Sequence, residues 1–290
     1  MVVEIENTPG RYVARQLNIT DKNKRNSIEK LASGYKLNKA ADNASGLTVS
    51  ESMRGQIRGL NQASKNSQDG QNMIATADAG MNELHLILHR MRELCVQGAN
   101  DTNVAEDRES IQMEIDALNN EIDRITSETE FNTMKLLRGG SGSSETEEDD
   151  IGNSDNSENN GGIALQVGAD TSHIISVKLP MLSTEVLETR GVDVSDNKVA
   201  TESIALVDRA IDKVDNERSK MGAISNRLDH AYSNNTNSSE NTQSSESLIR
   251  DANLADEMVI ISTANIIEQA GISMAAQANS GKETILKMVQ

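Results

Sequence analysis

The chain has 290 residues but no Trp, one Phe and three Tyr, so the large aromatic side chains that anchor globular cores are nearly absent. Its apolar residues are mostly aliphatic, a composition that suits long helices burying a narrow stripe against other helices. The net charge of −17 argues against a nucleic-acid partner, because no cluster of Lys and Arg is present to replace the counterions of a phosphate backbone.

Signals for secretion and membrane insertion are also missing from the sequence. The start, MVVEIENTPGR, is acidic and has no apolar h-region, which predicts that there is no cleaved secretory signal. No run reaches the ~20 apolar residues that span a bilayer, so we expect no membrane partner. Composition alone would indicate a cytoplasmic protein, an interpretation that a family resemblance revises below.

The first element predicted along the chain is an amphipathic helix at the N-terminal end. Thr8 followed by Pro9 suits a helix start, where Pro is favoured in the first turn. The apolar residues that follow are Val13, Leu17, Ile28 and Leu31.

A much longer helix is predicted from about residue 46 to residue 99. Its apolar residues alternate at spacings of three and four: Ile74, Ala77, Met81, Leu84, Leu88, Met91 and Cys95. At 1.5 Å per residue such a helix is on the order of 80 Å long, and it needs partner helices along its length.

Two further segments carry the same alternation and supply those partners. The first, over about 104–129, contains Ile111, Ile115, Leu118, Ile122 and Ile125. The second contains Ile204, Val207, Ile211, Val214, Met221, Leu228 and Tyr232. Because the segments come from both halves of the chain, we predict a mainly α fold in which long heptad-patterned helices from both chain ends form a coiled-coil-like bundle.

Between these helices the pattern changes twice. Residues 139–162 are almost free of apolar side chains and predict a flexible acidic loop. The segment IALQVGADTSHIISVKL then alternates around Gly168 and Asp170, which predicts a small β-hairpin in the middle of the chain. Residues 233–247 contain no large apolar residue, and the sequence leaves open whether they form a linker or a solvent-facing helix.

The last forty residues predict a second terminal helix, which is strongly apolar. It carries Leu254, Met258, Ile261, Ile266, Ala270, Met274, Ala278, Ile285 and Val289. A helix this apolar on a water-soluble chain needs a partner. We expect both terminal helices to serve assembly, through Leu17, Ile28, Leu31, Met258, Ile261, Ile266, Met274 and Ile285.

Several long segments resemble those of bacterial flagellins. LASGYKLNKAADNASGLTVSESMRGQIRGLNQAS (31–64) resembles the family's signature segment, and residues 88–125 resemble its following helix pair. FNTMKLL (131–137), SNRLDHAY (225–232), DANLADEMVIIST and MAAQANSGKETIL are similar to later parts of the family's sequence. The chain departs from the family's usual sequence at Asn43, Ser45 and Cys95, at Pro9-Gly10, and at its final KMVQ.

The resemblance implies a domain arrangement in which both chain ends share one inner domain. The expected parts are an N-terminal piece of that inner domain (1–45), the N-terminal bundle helices (46–138), a reduced outer region with the acidic loop and hairpin (139–199), the C-terminal bundle helix (200–248) and the C-terminal piece of the inner domain (249–290).

The resemblance also implies a function: a non-enzymatic subunit that self-assembles into the helical filament used for swimming. Expected partners are further copies of the chain, the flagellar export chaperone and export apparatus, and the filament cap and hook–filament junction proteins. Localisation then becomes extracellular, in the bacterial flagellum. The alternatives are a junction or cap-type flagellar protein sharing the terminal helices, or a secreted coiled-coil adhesin or enzyme, which would need a larger middle region or a catalytic constellation.

One receptor is implied by the same resemblance. In flagellins recognised by Toll-like receptor 5, contacts centre on the first long helix and the helix after it. The matching positions are Arg90, Leu94, Gln97 and Glu114, and all four carry the residue types that this recognition implies. The alternative is that they serve only subunit packing.

Other candidate sites in the sequence are weak. His85 and His89 are spaced i, i+4, but no His-Glu-x-x-His pattern or third ligand accompanies them, so we interpret them as helix-surface residues and predict no metal site. Cys95 lies at an apolar heptad position and is predicted to pack in the core. The glycines of the 34–80 region predict turns and close approach of subunits rather than a phosphate loop. No cofactor and no catalytic residue are expected.

Overall fold

The computed structural model describes residues 8–139 and 162–289, without the side chains of Pro9 and residues 282–289. Apart from its two end residues, the predicted acidic loop over 139–162 lies outside the described residues. The described part contains six α-helices: α1 (Thr8–Ser33), α2 (Ala44–Gly98), α3 (Ala105–Glu128), α4 (Thr184–Leu187), α5 (Asn197–Arg250) and α6 (Leu254–Val289). It also contains four short strands: β1 (Glu130–Phe131), β2 (Met134–Lys135), β3 (Gly162–Gln166) and β4 (Ile174–Lys178).

The mainly α prediction is confirmed, and the chain divides into two compact units. One unit contains Met1–Ile57 and Glu240–Gln290, and the other contains Arg58–Ser239. The expected inner-domain pieces, 1–45 and 249–290, fall in the first unit. The predicted bundle and hairpin regions fall largely in the second.

The core of the second unit is built from the predicted apolar stripes. Met81, Leu84, Leu88 and Met91 of α2 are fully buried. They belong to one apolar cluster with residues of α3 and α5, among them Ile111, Ile115, Ile122, Val207, Val214, Met221 and Leu228. Cys95 is also buried there, and burial raises the pKa of its thiol to about 11, as expected for a thiol that acts as a small apolar side chain.

Residues 233–247, whose structure the sequence left open, continue α5 as a helix. Two polar side chains replace aliphatic ones on its inward face and are buried. Asn235 donates through Nδ2 to the carbonyl of Val167 at 2.7 Å, and the Ser239 hydroxyl donates to Oδ1 of Asn61 at 2.9 Å. These hydrogen bonds satisfy the buried polar groups, so the helix packs here without an apolar seam.

The predicted hairpin is present as β3 and β4, antiparallel, with Leu165 opposite Ile175. It lies close to α2 at glycine positions. A Cβ on Gly59 would lie 3.0 Å from Cβ of Ala169, and one on Gly70 would lie 2.6 Å from Cδ1 of Leu165. These two glycines therefore allow the chain's own hairpin to approach α2, whereas the sequence pattern predicted that they allow a neighbouring subunit to approach.

The connections around α3 contain short elements that the sequence pattern does not predict. Asn132 and Thr133 form the tight turn that joins β1 to β2, and both have positive φ, 49° and 66°. Positive φ at both central residues is typical of such hairpin turns. After β4, the short helix α4 is held to α3 by Asp123, whose carboxylate accepts hydrogen bonds from the backbone N–H and hydroxyl of Thr184.

Candidate assembly surface

The segment that joins α1 to α2 is a compact, hydrogen-bonded turn. Gly34 has φ +76°, and its N–H donates to the carbonyl of Lys30, so it ends α1 in the left-handed position that favours glycine. Asp42 accepts from the backbone N–H groups of Asn38 and Lys39, and Oδ1 of Asn43 accepts from the N–H of Gly46 at the start of α2. Asn43 therefore caps the start of α2.

This turn is tied to the end of α5 within the same unit. The backbone N–H of Lys36 donates to the carbonyl of Arg250 at 2.6 Å, and the Arg250 guanidinium lies 4.8 Å from the ring centre of Tyr35. Arg250 also donates to Glu51 of α2 at 2.7 Å. The segment after α1 is thus joined to the segment that precedes α6.

Helices α1 and α6 pair in antiparallel order. Leu17 lies against Gly271, Lys24 forms a 2.7 Å ion pair with Glu268, and Lys30 lies 3.5 Å from Glu257. Among the described residues of this pair, the buried side chains are small or polar: Thr20, Ser27, Glu257 and Ala264. The two helices therefore meet closely but bury little apolar surface between them.

Much of the apolar surface of the pair remains exposed. The exposed residues are Tyr12, Ile19, Ile28, Leu254, Met258, Val259, Ile260, Ile266, Ile267, Ile272 and Met274. Leu254–Gly281 is long and apolar enough to cross a membrane by length and composition, contrary to the expectation that no segment reaches this threshold. Because α6 carries Glu257 and Glu268, each close to a lysine of α1, we interpret its exposed face as a protein-packing surface.

The predicted assembly residues divide into two groups in this pair. Leu17, Leu31 and Ile261 are partly buried, whereas Ile28, Met258, Ile266 and Met274 are exposed. Ile285 lies in α6, but its side chain is outside the described part of the structure. The second group is therefore free to contact another chain.

The four candidate receptor positions do not share one environment. Arg90, Gln97 and Glu114 are exposed, and Nε and Nη2 of Arg90 donate to Oε1 of Glu114 at 2.9 and 2.8 Å. Leu94 is only 1% exposed and belongs to the bundle core. In the folded chain this side chain therefore packs inside the bundle, while the other three positions are exposed.

The fold and surface define a class of protein: a helical protein that pairs its two terminal helices and exposes an apolar face on them. Comparison with protein families identifies the family within this class. Residues 6–141 match the bacterial flagellin N-terminal helical region, and residues 204–289 match the bacterial flagellin C-terminal helical region. The chain therefore belongs to the bacterial flagellin family and is a structural subunit of the flagellar filament.

Individual relatives agree with this assignment. The chain is 39% identical to the flagellin of Halalkalibacterium halodurans over 98% of each chain, and 40% identical to that of Bacillus subtilis over 91% of this chain and 92% of the other. A putative flagellar hook-associated protein from Vibrio parahaemolyticus has a similar fold, with a TM-score of 0.55. It covers 72% of this chain and 99% of its own, but at 14% identity it shows the fold alone.

Proposed function

We propose that this flagellin polymerises through the exposed apolar faces of α1 and α6, which pack against the same helices of neighbouring copies, and that the resulting filament drives swimming. The observation that carries the proposal is the exposure of large side chains such as Ile266 (67%) and Met274 (61%). Fully burying one such side chain contributes about 1.5–3 kcal/mol, so a few of them supply a large driving force for assembly.

A matched pair of substitutions tests this proposal. Ile266→Asp places a charge on the α6 surface, whereas Ile174→Asp places the same charge at an exposed position in β4. Seeded polymerisation of purified chains, followed by sedimentation, should fail for the first variant and proceed for the second. Equal polymerisation of both variants, with helical content unchanged, would contradict an assembly role for this face.

We also propose that the chain reaches the extracellular filament through the flagellar export apparatus, with an export chaperone covering α6 beforehand. The exposed apolar residues of α6 support this, because such a surface needs cover in the cytoplasm. Filament cap and hook–filament junction proteins are then the expected neighbours at the two ends of the polymer. We further propose that the chain is not an enzyme, since its family consists of structural proteins.

A second function, activation of Toll-like receptor 5, is favoured by the exposed group formed by Arg90, Gln97 and Glu114 on α2 and α3. Arg90 is a multi-donor residue of the kind enriched at interface hot spots, and it is already oriented by Glu114.

Arg90→Ala should lower receptor activation by purified monomer. The control is Arg124→Ala, which removes a comparably exposed arginine from a different position on α3. Equal potency of the wild type and the Arg90 variant would rule out this contact.

A further inference from the structure

We propose that His85 and His89 form a two-nitrogen binding site for Cu²⁺ or Ni²⁺ on the surface of α2. A hydrogen bond joins the Nε2 atoms of the two rings at 2.9 Å, and the rings stand nearly perpendicular, with an interplanar angle of 80°. A bound metal would take the place of the proton that the two nitrogens share. An i, i+4 spacing alone does not bring two imidazole nitrogens to this separation, because the rings have several rotamers. The site therefore rests on the observed ring positions.

The distance indicates which metal geometry fits. Two imidazole nitrogens at about 2.05 Å from a metal and at 90° to one another lie about 2.9 Å apart, whereas a tetrahedral angle separates them by about 3.3 Å. The hydrogen bond already holds the two nitrogens at 2.9 Å, so a metal that binds them at right angles replaces the shared proton without moving the rings apart. Square-planar and tetragonal nitrogen sites select Cu²⁺ or Ni²⁺ over Zn²⁺.

Asp215 of α5 supplies the orienting group that metal-binding histidines commonly have. Its Oδ1 lies 3.2 Å from Nδ1 of His85, and this Nδ1 is buried without a hydrogen bond in its present ring position. With the ring where it is, the negative charge of Asp215 favours the tautomer of His85 that carries its proton on Nδ1. That tautomer leaves the Nε2 lone pair of His85 free to coordinate a metal.

The remaining coordination positions are open. Within the ranges that the structure describes, no group of three or more His, Cys, Asp or Glu side chains is placed to hold a metal ion. Water therefore completes the coordination, and the site should bind more weakly than a three-ligand centre. The His85 side chain is 23% exposed and His89 is exposed, so an ion reaches both nitrogens from solvent.

The test is calorimetric titration of NiCl₂ into the purified full-length monomer in a non-chelating buffer. We expect one Ni²⁺ per chain, with at least tenfold weaker binding in His85→Gln and in His89→Gln. His230→Gln is the matched control, since His230 is an exposed histidine on a different helix, α5. Wild-type binding in the His89 variant, an equal loss in the His230 variant, or no saturable binding at all would each overturn the proposal.

Two further measurements separate this site from incidental binding. Electron paramagnetic resonance of bound Cu²⁺ should show coupling to two imidazole nitrogens in the wild type and to one in either single variant. Asp215→Asn should weaken Ni²⁺ binding several-fold while both nitrogens still couple, as expected for a positioning residue. Because His89 is exposed, His89→Gln should keep the helical content and unfolding midpoint of the wild type, and these are measured alongside.

Discussion

A Cβ atom on Gly271 would lie 2.7 Å from Cδ2 and 3.2 Å from Cγ of Leu17, so α1 and α6 approach each other closely at this glycine. Gly271→Val should force the two helices apart, lower amide protection in α1 and raise the concentration needed for polymerisation. Gly281→Val is the control, because nothing lies within 4 Å of a Cβ at that position and the change in helix propensity is the same. Similar hydrogen exchange in both variants would show that the Leu17 contact does not hold the pair together.

Substitutions of Leu94 and Arg90 by alanine should differ in their effect on stability. Since Leu94 is buried in the bundle core, Leu94→Ala should lower the free energy of unfolding by about 2–5 kcal/mol, as expected for a cavity in a packed core. Arg90→Ala removes an exposed ion pair and should leave the unfolding midpoint unchanged. Urea unfolding of the two monomers measures both effects. A Leu94 variant as stable as the wild type would show that this side chain is not part of the core.

Alanine substitution at two glycines of the bundle should change the stability of the chain in opposite directions. In Gly70→Ala the new Cβ meets Leu165 at 2.6 Å and Leu228 at 3.2 Å. Overpacking of this kind costs about 1–3 kcal/mol, and we expect it to exceed the ~1 kcal/mol that alanine gains in helix propensity, which gives a net loss of stability. In Gly222→Ala the Cβ meets nothing within 4 Å, and the gain in helix propensity should stabilise the chain by ~1 kcal/mol. Thermal unfolding followed by circular dichroism compares them. A stabilised Gly70 variant would place the hairpin further from α2 than we describe.

The turn between α1 and α2 should weaken in acid because of Asp42. Hydrogen bonds from the backbone N–H groups of Lys39 and Asn38 hold the pKa of this carboxyl below its ordinary value of 3.8. A lowered folded pKa means that the stabilisation is complete above the unfolded value and is lost as pH falls through the folded value. The stability difference between the wild type and Asp42→Ala should therefore be full above about pH 4 and shrink below it.

Hydrogen exchange of the Lys39 amide, recorded across this pH range, measures the effect locally. The control is Asp69→Ala, which removes an exposed carboxylate from the middle of α2. A difference between the wild type and Asp42→Ala that stays constant down to pH 3 would show that the carboxylate does not hold the turn.

The long helices were predictable because their apolar residues repeat with the helical period. The predicted span 46–99 corresponds to α2 at Ala44–Gly98, and 104–129 corresponds to α3 at Ala105–Glu128. The region 233–247 could not be decided, because its helical seam depends on hydrogen bonds to Asn61 and Val167, residues remote in sequence. Local composition contains no information about such partners.

The candidate sites were less predictable, since each depends on side-chain direction. A three-four stripe through Met91 and Cys95 leaves Leu94 at its edge, and only packing in the three-helix core shows that Leu94 is inside. The exposed α6 face was predictable from its apolar content. The separation of His85 and His89, by contrast, depends on rotamers that spacing does not determine.

The buried pair of Asn235 and Ser239 has a consequence for how the bundle closes. An all-aliphatic seam would tolerate sliding by one heptad, because one apolar side chain can replace another at little cost. Sliding α5 by seven residues would bring Leu228 or Thr242 to the position of Asn235 and remove the donor from the carbonyl of Val167. An unpaired buried carbonyl costs about 1–3 kcal/mol. The Asn235 amide and the Ser239 hydroxyl thus fix the axial register of α5 in the bundle. Every copy of the chain that joins the polymer then has the same register.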